Sequence, residues 1–574
     1  MMNRPRRTFI KQASTATAGL WLLPHLTSAA TLSTASSGIE ETLRKIVPIN
    51  DARIEDLLAM QLNRPGDRWD GGAQNAYELP NAHSTYGFIV RLASSYACEY
   101  SRYYQAKTLE QPLERAIACL LRVQYADGTI DLHSTNFHST PDTAFLVNYL
   151  SPVYVCIKRM NTDGLSSFID KLGEFMLNAG KCFLSGGIHT ANHRWVVSSA
   201  LARVNDFFPD ERYVNRIDQW LGEGIDIDSD GQYTERSVSV YSPVCNNMFL
   251  TMARLLRRPK LMDVVRANLE MSLYYIHPDG EVLTDASDRQ DSAQLGLVNK
   301  YYLAYRYFAI EDNNPQFAAV CELIEKEMPE RIISYILPLI EDPIFKENIK
   351  AVGKIPDDYF KRFEHSGLFR IRRGAIDISV IEQNPTFLSF RKGAAVMQSM
   401  RLAASFFGRG QFQAEQVEFD GSMIILKKSI TRGYYQPIEE ERQSGDNDWA
   451  KTPRDERKLS EAQTLNMIVT IKESKGALTI EVDITGTPHV PVAWELSFRE
   501  GGRLENVQKD NMVEDVYFID EGNARYRHGN DVIEFGAGSS PHKWTQLRGM
   551  LPKQAGMSVY ITGYTPFKHQ LKLS

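Results

Sequence analysis

The chain has 574 residues, 43% of them hydrophobic, 24% charged and 10% aromatic, which supports several packed cores and argues against a mainly disordered protein. That length is more than one hydrophobic core fills, so two to four domains are expected. The 71 acidic residues outnumber the 65 basic ones, for a net charge of −6; this argues against a general nucleic-acid binder and leaves any acidic ligand to a local pocket.

The first predicted element is an address. Pro5-Arg6-Arg7-Thr8-Phe9-Ile10-Lys11 is followed by a weakly apolar stretch from Ala13 to Leu23 and by the small residues Ser28-Ala29-Ala30. The order of these parts predicts a twin-arginine export signal over residues 1–30 and a periplasmic destination. The leader holds four bases (Arg4, Arg6, Arg7, Lys11) and no acid, so its loss leaves 61 bases against 71 acids, a charge of about −10. Beyond it no apolar run approaches twenty residues, so no membrane span is expected. Cys98, Cys119, Cys156, Cys182, Cys245 and Cys321 are widely spaced with no CxxC pair, which reads as free core thiols.

Residues 31–337 carry a helical period. Leu113, Ile117, Leu120 and Leu121 recur at helical spacing, as do Leu165, Phe168, Ile169, Leu172, Phe175 and Met176. Between the helices recur Ala126-Asp127-Gly128, Ser229-Asp230-Gly231 and Pro278-Asp279-Gly280, each ahead of a short polar stretch. This degenerate repeat predicts helix pairs closing into an α/α toroid, an incomplete helical barrel. Residues 338–364, with Pro338, Pro343 and Pro356, read as a connection. From 365 to 574 the period becomes two: Ile376, Ile378, Val380; Leu465, Met467, Val469, Ile471; Leu478, Ile480, Val482, Ile484, with a hairpin turn at Glu473-Ser474-Lys475-Gly476. An antiparallel β-sandwich follows from that pattern, giving a multidomain α+β chain. The charged stretch 431–464 reads as a long surface loop.

Two stretches concentrate polar chemistry: Gly187-Ile188-His189-Thr190-Ala191-Asn192-His193-Arg194-Trp195, and Asp230 to Tyr241 with Tyr233-x-Glu235-x-Ser237-x-x-x-Tyr241. On Asn192-His193 and on that second segment, ending 48 positions after His193, the chain resembles the heparinase II/III-like polysaccharide lyases. The resemblance implies an α/α toroid followed by a β-sandwich and cleavage of a uronic-acid glycan by β-elimination without an organic cofactor. Among specificities it is most similar to lyases that remove rhamnose from glucuronic acid, implying an acidic glycan or oligosaccharide as partner. The resemblance also allows a structural metal, since in several relatives a sandwich histidine joins a metal or active site; His365, His489 and His542 are the candidates here.

The chemistry accounts for these residue types. The C5 proton lies beside a carboxylate and is very weakly acidic, so charge must flow into that carboxylate; Asn192 would neutralise it, with an Arg beside it. His193 would act as base, and Tyr241 as acid, or as both acid and base if its proton affinity is lowered by a cation such as Arg236. Glu235, Asn136, His138, Arg289 and Trp195 are the expected substrate-binding residues; Asn136 is an alternative amide for the carboxylate, and His83, Tyr86 and His133 are weaker neighbours. Two motifs are set aside. Asp226, Asp228, Asp230 and Gly231 begin like a calcium loop whose twelfth position is Ser237, and His189 and His193 have zinc-helix spacing without its glutamate. Two rivals stay open: a toroidal glycoside hydrolase pairing Glu235 with Asp142 or Asp285, and a non-catalytic glycan-binding protein using Trp195, Trp220, Trp449 or Trp494 as platforms.

Overall fold

The computed structural model describes residues 38–440, 445 and 456–574; the stretch 1–30 expected to be an export signal and Trp449 lie outside the described residues. In chain order the helices are α1 (Ile39–Asp51), α2 (Ile54–Met60), α3 (Ala82–Ala97), α4 (Glu110–Val123), α5 (Thr140–Met160), α6 (Ser166–Ser185), α7 (Ala191–Phe207), α8 (Glu211–Gly222), α9 (Tyr241–Leu255), α10 (Lys260–Ser272), α11 (Tyr302–Glu311), α12 (Pro315–Glu327) and α13 (Ile336–Glu341). Residues 38–227, 240–269 and 298–354 form a helical unit; 228–239, 270–297 and 355–574 form a sheet-rich one.

In the helical unit α3 packs on α5, α5 on α7, α7 on α9 and α9 on α11, while α4 packs on α6 and α6 on α8; α4, α6 and α8 also pack on the helix before them. Odd helices thus form an inner row and even helices an outer one, as an α/α toroid requires. Burial follows the rows. Outer α8 buries only Tyr213 and Ile217, an i, i+4 stripe, whereas inner α7 is buried without a break from Trp195 to Ala202. The expected Asp-Gly repeat is present as one hydrogen-bond pattern used three times. Tyr125 N donates to Thr129 O (2.9 Å), Asp228 N to Gln232 O (2.9 Å) and His277 N to Glu281 O (2.8 Å). Gly128 illustrates why glycine is needed: its φ is +87°, and a Cβ there would meet the Asn178 carbonyl oxygen at 2.0 Å.

The sheet-rich unit holds an eight-stranded and a nine-stranded sheet. The neighbours are antiparallel except Val516–Phe518 beside Met557–Tyr564. Leu426, Met467, Ile480 and Leu571 of the first sheet share one core with Ile371, Ile378, Leu402 and Trp494 of the second, so the unit is a sandwich. The 474–477 hairpin closes with Lys475 and Gly476 both at positive φ, and Ile471 faces Ile480. Residues 338–364 contain more than a connection: the end of α13, a 3-10 turn at Pro343–Lys346, and a strand, Asp358–Phe363. The expected loop at 431–464 is also shortened, because Met423–Tyr435 and Leu459–Ser474 pair as strands, with Tyr435 opposite Leu459. Of the remainder, 441–444 and 446–455 lie outside the described residues.

A buried charge cluster anchors the sandwich unit. Asp377 Oδ2 accepts from Arg370 Nη2, Arg372 Nη1 and the His277 ring, each at 3.1 Å, and neither Asp377 nor Arg370 has any exposed side-chain surface. Burial by itself raises the Asp377 carboxyl, but the Arg370 charge outweighs it and holds the group far below the usual carboxylate range. Burial, then Arg391, pushes His277 down to about 3, so its imidazole is neutral. Asp377→Asn strands two buried cations and is expected to lower unfolding free energy by about 3–5 kcal/mol, read from denaturant melts; a loss below about 1 kcal/mol would refute this account. All six cysteines are free and buried; burial pushes the Cys156 and Cys182 thiols up to about 12, which makes them poor nucleophiles.

Candidate active site

Inner-row helices meet in the same order along their lengths: His83 and then Tyr86 of α3 lie by Asp142 and then Tyr149 of α5, Phe145 and then Asn148 of α5 lie by His193 and then Ser199 of α7, and Arg203 and Arg254 near the ends of α7 and α9 pair with the consecutive Glu341 and Asp342. They therefore run the same way, and the starts of α3, α5, α7 and α9 share one end of the helical unit. Each start is encoded locally. Asn81 caps α3 by accepting from Ser84 N (2.7 Å), Ser139 caps α5 through Asp142 N, Thr190 precedes α7, and Pro243 occupies the first turn of α9. Helix N-termini carry partial positive charge and unpaired N–H groups, so four of them at one rim favour an anion.

Asn192 and His193 are the second and third residues of α7, and Tyr241 is the first residue of α9. The amide and imidazole are nearly dry, at 1% and 8% exposure, while Tyr241 is half-buried. Asn192 Nδ2 reaches Thr190 Oγ1 at 3.4 Å. The His193 ring is held edge-on by His189 (4.6 Å) and by Phe145 of α5 (6.4 Å). Beside them on the rim is a dyad given little weight in the sequence: His83 Nε2 of α3 lies 3.7 Å from Asp142 Oδ1 of α5. Asp142 Oδ2 accepts from Ser139 Oγ (2.5 Å) and from Asn136 Nδ2 (2.8 Å). Burial lowers the His83 pKa, partly countered by Asp142, so this imidazole is neutral at pH 7. The signal was present in Ser139-Thr140-Pro141-Asp142, a helix-start pattern that places an acid in the first turn.

Other expected site residues have other occupations. Trp195 is corrected: its buried ring packs on Phe249 and its Nε1 donates to Asp226 (2.8 Å), so its one polar group is spent within the helical unit and it is a core residue. Trp494 is likewise a core residue and no platform. The amide of Asn136 is spent on Asp142, and the His138 ring is stacked on Tyr125 (3.8 Å) with Nδ1 2.9 Å from Asp127 Oδ2. Within the sandwich unit Arg289 pairs with the buried Glu235 at 3.6 Å. Arg236, at φ +43°, donates to the His365 carbonyl (2.5 Å) with Asp288 at 4.0 Å; these contacts fasten the segment 228–239 to its own unit. Asp226 is taken by Arg194 (2.9 Å), Asp228 caps its own turn by accepting from Asp230 N and Gln232 N, and Asp230 accepts from Ser366 N (2.9 Å). Among the described residues, no group of three or more His, Cys, Asp or Glu is placed to hold a metal ion.

Asp285, the hydrolase rival's second carboxylate, lines two adjoining polar hollows of the sandwich unit. Burial pushes its carboxyl up to about 6 against the pull of Arg391 and Arg499. Both arginines are committed to Glu281, at 2.8 Å and at 2.7 and 2.9 Å. The folded state therefore holds this proton between about pH 4 and 6, where an unfolded aspartate has lost it, and ionisation above pH 6 costs stability. Asp285→Asn is expected to stabilise the protein at pH 8 by roughly 1–2 kcal/mol, the gain fading by pH 4. Urea melts at the two pH values check this, and a gain that grew towards acid pH would contradict it.

No protein-family model matches the sequence, and no curated protein matches it. Among solved structures the chain is similar to heparinase III at 12% identity and a TM-score of 0.56, over 92% of this chain and 85% of that one. It is similar to a Paenibacillus xanthan lyase at 9% and 0.58, over 93% of this chain and 57% of that one. A mutant chondroitin AC lyase of Streptomyces coelicolor matches at 12% and 0.51, over 93% and 79%. The chain thus has the fold of these polysaccharide lyases, an α/α toroid and an antiparallel β-sandwich.

Proposed function

We propose that this lyase-fold chain is a polysaccharide lyase that cleaves a uronic-acid linkage by β-elimination. The substrate class is a glucuronic-acid glycan, with rhamnose-α-1,4-glucuronate as the preferred linkage. The protein would be exported by the twin-arginine route to the periplasm. The observation that carries this reading is the placement of Asn192 and His193 on the first turn of α7 and of Tyr241 at the head of the adjacent parallel helix α9.

In this mechanism the substrate carboxylate lies at the rim, where Asn192 and the helix N-termini stabilise the charge that develops on it. His193, or Tyr241 when proton and leaving group share a face, takes the C5 proton. The C5–H electron pair becomes the C4=C5 double bond as the C4–O4 bond breaks, and Tyr241 protonates the departing O4. Asp142 with His83 shapes the rim beside them. The experiment is a panel of glucuronic-, galacturonic- and mannuronic-acid glycans incubated with purified protein while ultraviolet absorbance is followed. A new absorbing product from a glucuronate glycan supports the reading. Cleavage that incorporates water and forms no double bond overturns it in favour of the hydrolase.

A further inference from the structure

Beneath the rim the helical unit encloses a cavity of about 380 Å³, within the size range of small-molecule sites. Its walls come from inner-row helices α3, α5, α7, α9 and α11 and from α13. On α9 the lining runs from Val244 to Arg254; at ~1.5 Å per residue it therefore begins about 5 Å below Tyr241 and ends about 20 Å below it. Solvent reaches this lumen, because Tyr149 on inner helix α5 lines it and is 41% exposed.

Two features point to a ligand. Tyr149 stacks with Tyr86 at 5.6 Å and 6° between planes, presenting a flat aromatic wall. Three arginines line the cavity, and two are neutralised, Arg203 by Glu341 and Arg254 by Asp342. Arg91 is not: among the described residues it makes no ion pair, and its buried Nε has no hydrogen-bond partner. Burial, then the Arg53 charge, draws its pKa down to about 10, which leaves it cationic at neutral pH. A cation without a counter-ion on an apolar wall is costly unless an anion shares the space. Asn247 adds a buried Oδ1 without a hydrogen-bond partner, suited to a hydroxyl donor.

We propose that this lumen binds a monosaccharide-sized sugar acid, its carboxylate on Arg91 and its ring against the Tyr86–Tyr149 wall. The choice of a sugar acid over another small carboxylate rests on the lyase reading above.

The test is calorimetric titration of the full chain with D-glucuronate, with glucose as the neutral control. Binding at one site is expected, with glucose at least tenfold weaker. Arg91→Gln is expected to weaken glucuronate about tenfold to a hundredfold through loss of a charge-assisted contact. Gly87→Leu is expected to block it, since a Cβ at Gly87 meets open space and the backbone there needs no glycine. Asn192→Ala should retain binding. Absence of any heat, unchanged affinity in folded Arg91→Gln, or loss confined to Asn192→Ala would each overturn the proposal. Lumen binding without glycan cleavage refutes the lyase reading alone, and cleavage without lumen binding refutes this inference alone.

Discussion

Tyr241→Phe is expected to lower kcat for double-bond formation by about a thousandfold, with KM changed less than threefold. The substitution removes one oxygen and keeps the ring. Tyr241 is half-buried at the first position of α9, so packing and helix start survive. What is lost is the proton for O4, and in the single-face variant of the mechanism also the acceptor for the C5 proton. Proton transfer by a positioned group contributes about 10²–10⁴ in rate, and a residue serving twice falls in the upper part of that range. Initial rates by ultraviolet absorbance on a glucuronate glycan, beside a thermal melt to verify folding, measure it. A variant within threefold of wild type would remove Tyr241 from the chemistry.

The second large effect is expected from Asn192. Its amide is 1% exposed, so a hydrogen bond to a charged carboxylate there is not diluted by water. Removing one such oriented donor costs about 10²–10³ in kcat, and that is the loss expected for Asn192→Ala. Asn192→Asp separates neutralisation from shape: the side chain is nearly isosteric, but a second carboxylate would oppose the substrate's own, so KM should rise as kcat falls. If Asn192→Asp kept both parameters, charge neutralisation would not be the role of this residue. The effects of Asn192 and Tyr241 should not add, because both act on one transition state.

Much of the architecture was legible. Phe168, Leu172, Phe175 and Met176 line the buried face of α6, and Met467, Val469 and Ile471 face Ile484, Val482 and Ile480 as their alternation required. The stretch 431–464 misled because it was read by its charge. Within it Thr431, Arg432, Tyr434 and Tyr435 pair with Thr464, Gln463, Ser460 and Leu459 in the sheet, yet none of these residues is buried, so a solvent-facing strand end resembled a loop. Trp195 misled for the opposite reason: on an inner helix buried on every side, no face marks the substrate, and a tryptophan near the catalytic pair belonged to the core.

The chain's local grammar determined the two periods, the Asp-Gly turns and the polar starts of α5, α7 and α9, because period, turn and cap depend on residues within a few positions of one another. Only the tertiary structure decided which of those starts are neighbours. It placed Asp142 beside His83, turned Glu235 to Arg289 fifty-four positions later, and left Arg91 facing a hollow. Such encounters arise from the packing of the inner row and from the folding of 228–239 and 270–297 into the sandwich unit. The chemistry of a site depends on distances across elements, and no repeat within an element encodes them.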